Sequence, residues 1–187
     1  MIVIKDKDTV YFAYATGHYC NYTNLRFDAS TEESMDLWHL NDGKGTIVML
    51  DARDRIVDLL RYSDVFNCEL TIEALSGIHK RIAVLYQGTN CRELDGDTGA
   101  TIFIARGNQA FQICGYGSVE ELEGVVCGYR YRNALLAAYE HCKAIEDPYE
   151  RIATTYDMVE RITGRCTKSI AVINTKDEKM TILSGDK

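Results

Sequence analysis

The residues of this chain that could do chemistry are scattered, and each has a plain structural alternative. The first is residue 1. Met1-Ile2-Val3-Ile4-Lys5 runs into the polar turn Asp6-Lys7-Asp8, and residues 9–15 continue as a second strand, so the α-amine is expected at or near a sheet edge. A nucleophile can work from that position: a hydroxyl or thiol on residue 1 attacks, and its own amine takes the proton. Methionine supplies neither atom. Gly45-Thr46-Ile47-Val48 offers a second route, because cleavage before Thr46 would pair a threonine hydroxyl with a new α-amine. A glycine closing a turn and a threonine opening a strand is the simpler account.

His18-Tyr19-Cys20 places a base and a thiol two residues apart, the spacing of a Cys–His pair or half a metal site. No second ligand pair accompanies it. His39, His79 and His141 complete the histidines and form no HxxxH on a helix, so no metal site is expected. Asp95-Gly96-Asp97-Thr98-Gly99 has the opening of a calcium loop but not its later ligands, and reads as a turn. Glu120, Glu121 and Glu123 read as a solvated acidic loop. The cluster Tyr129-Arg130-Tyr131-Arg132-Asn133 opens a helix, whose N-terminus can receive an anion; the alternative is a helix start with snorkelling side chains.

These residues need elements to position them. The segment 17–34 is polar and reads as irregular. Strands are expected at 35–40 and 46–51, on either side of the turn Asn41-Asp42-Gly43-Lys44-Gly45. Apolar residues at helical spacing follow in 52–62 and 71–87, the second opened by Thr71 and Glu73. Strands return at 100–105 and 110–115 around Gly107-Asn108, and again at 124–128. Helices are expected over 130–143 and from Asp147-Pro148, an N-cap followed by proline at the first helical position. The chain closes with strands at 169–174 and 180–184. Runs of strands separated by helix pairs point to α+β. Two stacked antiparallel sheets with a helix pair on each outer face, a four-layer αββα sandwich, would bury every apolar face. Residues 1–187 then form one domain, with a single proline and no low-complexity linker to divide them.

Bulk composition excludes several roles. The net charge is −7 and no lysine/arginine cluster tracks a helix face, so nucleic acid is not an expected partner. No apolar run reaches the length that crosses a bilayer, so a membrane is not expected either. Seven cysteines, an odd number with no CxxC pair, read as free thiols in a reducing, cytoplasmic compartment. Twelve tyrosines favour interfaces, because tyrosine joins apolar area to a hydrogen-bonding tip.

The order of elements resembles the proteasome β-subunit and HslV family of N-terminal nucleophile hydrolases. The resemblance is carried by Ile2-Val3-Ile4-Lys5 with Val10-Tyr11-Phe12-Ala13, by the hairpin 100–114, and by Val125-Val126-Cys127-Gly128 leading into a helix. It implies a site built from an N-terminal threonine, an aspartate ending the second strand, a lysine on the third, a serine before the third helix, and an aspartate with a serine near the last strands. The corresponding positions here are Met1, Ala15, Met35 or Asp36, and Tyr129; only Ser169 matches. Removal of Met1 is not expected, because Ile2 is bulky. The resemblance therefore implies a proteasome-like scaffold without proteolytic activity, acting by self-assembly into a homo-oligomer or by binding a peptide, small molecule or protein. Tyr14, Tyr129, Arg130 and Ser169 would line its cleft, and no cofactor is implied. The alternative is a peptidase or amidohydrolase of the same superfamily with its nucleophile relocated to Thr46 or Cys20.

Overall fold

A computed structural model describes residues 1–16, 25–28, 34–39, 45–50, 60, 62–78, 81, 101–114, 118–127, 132–163, 169–177 and 179–184. Eleven strands and three helices are defined among them. The strands are β1 (Ile2–Asp6), β2 (Thr9–Thr16), β3 (Leu25–Asp28), β4 (Ser34–His39), β5 (Thr46–Leu50), β6 (Thr101–Arg106), β7 (Gln109–Ile113), β8 (Val119–Glu121), β9 (Val125–Cys127), β10 (Ser169–Asn174) and β11 (Lys179–Ser184). The helices are α1 (Ile72–Ser76), α2 (Arg132–His141) and α3 (Pro148–Thr163).

The strands form two sheets, both antiparallel throughout. The first has the order β11-β10-β2-β1-β9 and the second β3-β4-β5-β6-β7-β8. Period-two alternation sends neighbouring side chains to opposite faces. In the first sheet Val3, Val10, Phe12, Tyr14, Ala171 and Ile173 join Val48, Phe103, Ala105, Ala110 and Leu122 in a shared layer between the sheets. Their neighbours Ile2, Ile4, Tyr11, Ala13, Ile170 and Val172 pack instead against Leu135, Ala138 and Tyr139 of α2 and Ile152, Tyr156 and Val159 of α3. The second sheet does the same: Ile47, Ile102, Ile104, Phe111 and Ile113 face Leu60, Val65, Phe66, Leu70, Leu75 and Ile78. Three apolar layers separated by two sheets account for the α+β class expected from the sequence.

Local chemistry sets the helix starts. Asp147 caps α3, its Oδ1 accepting from the Glu150 amide at 2.8 Å, with Pro148 at the first helical position as expected. Thr71 caps α1, its hydroxyl accepting from the Ala74 amide at 3.1 Å. Tyr156 on α3 then donates to the main-chain oxygen of Ala13 at 2.8 Å, tying the helix layer to β2.

Two segments differ from the sequence reading. Leu25–Asp28, within a stretch read as irregular, pairs with β4 as an edge strand. Val119–Glu121, read as part of an acidic loop, pairs with β7. Both are short, and β8 exposes its glutamates, so main-chain pairing rather than an apolar face defines it. Charged residues on an edge strand also oppose pairing with another sheet. Most of the helices expected at 52–62 and 71–87, and the turns at 41–44 and 95–99, lie outside the described residues.

Candidate functional site

The register of the first sheet assembles the candidate site. Ile2 pairs with Ala13 on one side and with Cys127 on the other. Met1, one residue earlier, packs its side chain against the layer between the sheets. Across β2, Tyr14 pairs with Ala171, Ala15 with Ile170, and Thr16 with Ser169. Met1, Tyr14 and Ser169, separated by up to 168 residues of chain, therefore meet at one end of the first sheet.

Tyr14 is buried, and its hydroxyl donates to the thioether of Met180 at 3.9 Å. Ser169 is half-buried at the first position of β10, between Thr16 and Ser184. Ala15 presents a methyl group, packed against the core shared with α2 and α3. In the second sheet, Met35 pairs with Phe27 and Leu50, and Asp36 with Arg26 and Met49. Of the proposed nucleophiles, Thr46 is fully buried (0 % exposed) in β5, paired with His39 and Ala105. Cys20, Tyr129 and Arg130 lie outside the described residues.

A thiol joins this end that spacing alone did not single out. Cys127 is buried beside Ile2. Burial pushes its thiol up to about 11, against the opposing pull of the α-amine and the Arg132 guanidinium. The group is therefore protonated at neutral pH and a poor nucleophile, since the thiolate is the reactive form. Its neighbourhood depends on pairing between β1 and β9, more than a hundred residues apart, and no local motif marks it. Cys68, Cys114, Cys127 and Cys142 are all free thiols. Among the described residues no three His, Cys, Asp or Glu side chains gather closely enough to hold a metal ion, and no helix is long and apolar enough to cross a membrane.

Solved structures place this architecture in a class. The chain is similar to eukaryotic HslV from Trypanosoma brucei, at 14% identity and a TM-score of 0.59 over 92% of this chain and 97% of that one. It is also similar to Thiobacillus denitrificans BPH in complex with Epoxomicin, at 10% identity and a TM-score of 0.58 over 100% and 98% of the two chains. A third is Anbu, an ancestral beta-subunit, from Yersinia bercovieri, at 13% identity and a TM-score of 0.58 over 100% and 87%. No protein-family model matches the chain, and neither does any curated protein. The fold is that of the HslV-like, proteasome-like proteins, as the order of elements implied.

Proposed function

We propose that this chain is a proteasome-like protein without proteolytic activity, acting through self-assembly into a homo-oligomer or by binding a peptide, small molecule or protein. The observation that carries the reading is apolar side chains where the chemistry needs charge and nucleophile. Met1 packs a thioether side chain into the layer between the sheets, and Ala15 offers a methyl at the position corresponding to the aspartate. A nucleophile activated by its own amine needs a hydroxyl or thiol on that residue and polar groups to orient it. Tyr14 and Ser169, with Tyr129 and Arg130, are the proposed lining of a binding cleft. Free thiols at all four cysteines among the described residues are compatible with a reducing, cytoplasmic location.

Epoxomicin, the compound in the BPH complex, supplies the test. The intact mass of the protein after incubation is expected to equal the full sequence, with no adduct and no cleavage before Thr46. An adduct lost on Thr46→Ala or Cys20→Ala would establish the relocated-nucleophile alternative instead. Burial of the Thr46 hydroxyl argues against that route. Sedimentation velocity tests self-assembly: a discrete multiple of the monomer mass is expected, and a monomer at all concentrations would leave only the binding role.

A further inference from the structure

The layer between the sheets is bounded, at the end opposite Met1, by three turns that exchange hydrogen bonds. The β10–β11 turn supplies Thr175, which is buried. Its amide donates to the Val10 oxygen at 3.0 Å, and its hydroxyl accepts from the Val10 amide at 3.1 Å. The same hydroxyl donates to the Gly107 oxygen at 3.1 Å. Val10 belongs to the first sheet, whereas Gly107 is in the β6–β7 turn of the second, held in the left-handed region at φ 59°. One oxygen atom therefore uses both its donor and an acceptor site to join the two sheets. Asn108 reinforces the junction by donating to the Lys7 oxygen at 3.4 Å, and Lys5 pairs with Glu121 of β8 at 3.3 Å.

Apolar packing is non-directional: it holds two sheets together without defining how far one slides along the other. Hydrogen bonds are directional and lose strength steeply with misalignment, so a buried bridge sets that offset. β2 and β10 run from this junction to the end that carries Tyr14 and Ser169, about 13 Å along β2 from Val10 at the usual rise per residue. We propose that Thr175 is a positioning residue for the candidate site: its hydroxyl fixes the relative placement of the two sheets, and so the geometry around Met1, Tyr14 and Ser169. The inference rests on the functional reading above only for naming that end as the site.

The test needs neither a ligand nor an activity, so its failure is distinct from failure of the proposed function. Methyl-labelled methionine gives NMR reporters at Met1 (far end), Met180 (opposite Ile173 near the junction, its sulfur against the Tyr14 hydroxyl) and Met158. Met158 lies beside Cys142 in the helix layer, outside the junction. In Thr175→Val the Met1 and Met180 methyl resonances are expected to move while Met158 stays in place; Thr175→Ser, which keeps the hydroxyl, is expected to restore the parent spectrum. Asn108→Ala, which removes only the reinforcing bond, is expected to shift Met1 in the same direction by a smaller amount, and it carries the test should Thr175→Val not fold. A Met1 methyl that stays fixed in both Thr175→Val and Asn108→Ala, or one that moves equally in Thr175→Ser, would overturn the inference.

Discussion

The two ends of the layer between the sheets are built on opposite chemistry. At the turn end, Thr9, Asn174 and Thr175 are buried polar residues whose hydrogen bonds are made within the protein. Asn174 Oδ1 alone accepts from the Thr9 hydroxyl at 3.0 Å, the Lys176 amide at 2.9 Å and the Asp177 amide at 3.4 Å. At the other end the layer meets Met1, a soft and polarisable side chain that tolerates replacement, and the buried ring of Tyr14. The contrast teaches that keeping this fold and keeping a chemistry at its cleft are separate demands. The turn end secures sheet placement, so residues at the other end are free to change occupation without loss of architecture.

That separation is open to direct attack. The largest effect is expected midway between the ends: Phe12 is fully buried in the shared layer, and Phe12→Ala should cost about 3–5 kcal/mol in chemical denaturation. A loss below about 1 kcal/mol would mean that the sheets do not depend on this layer. Alkaline pH should produce the next effect, near the Met1 end but on its helix face. Burial raises the folded Cys127 thiol to about 11 from an ordinary value of 9.0. The neutral thiol is the form the folded state prefers, so its contribution is complete below about pH 9 and is lost as pH rises through 11. The amount is on the order of 2 kcal/mol. Burial also raises the Tyr11 and Tyr139 hydroxyls, which add to alkaline destabilisation in the same direction. Unfolding free energies measured from pH 7 to 11 should therefore fall less in Cys127→Ala than in the parent protein; parallel curves would remove Cys127 from the account.

Two smaller effects set a buried polar contact against an apolar one. Asn174→Ala strands the buried Thr9 hydroxyl, while the exposed Lys176 amide can turn to water, so a loss of about 2 kcal/mol is expected. Met180→Leu, one pair along the sheet from Asn174 but in apolar packing, nearly conserves volume and gives up a weak sulfur acceptor; under about 1 kcal/mol is expected. If thermal melts place the two substitutions in the reverse order, the polar junction is not what holds the sheets.

Much of the architecture was legible because its causes are local. The apolar run Val10-Tyr11-Phe12-Ala13, the cap at Asp147 with Pro148, and the turn at Gly107-Asn108 each act over a few residues. The strands Leu25–Asp28 and Val119–Glu121 escaped notice because short edge strands are defined by main-chain pairing, which leaves little trace in side-chain pattern. The register puts Ser169 and Tyr14 at the Met1 end, whereas the pairing of Cys127 with Ile2 and the contact of Met180 with Tyr14 were not legible, since nothing nearby in the chain marks those neighbours.

By itself, then, the sequence determined which faces are apolar, where helices start, and that residue 1 brings a thioether rather than a hydroxyl or thiol. Those are properties of single residues and of short-range periodicity. Only the tertiary structure decided that Thr175 bridges the two sheets, that Thr46 is sealed inside β5, and that Cys127 stays protonated beside the α-amine. Each depends on pairing and burial between segments distant in the chain, and those are set by how the layers pack.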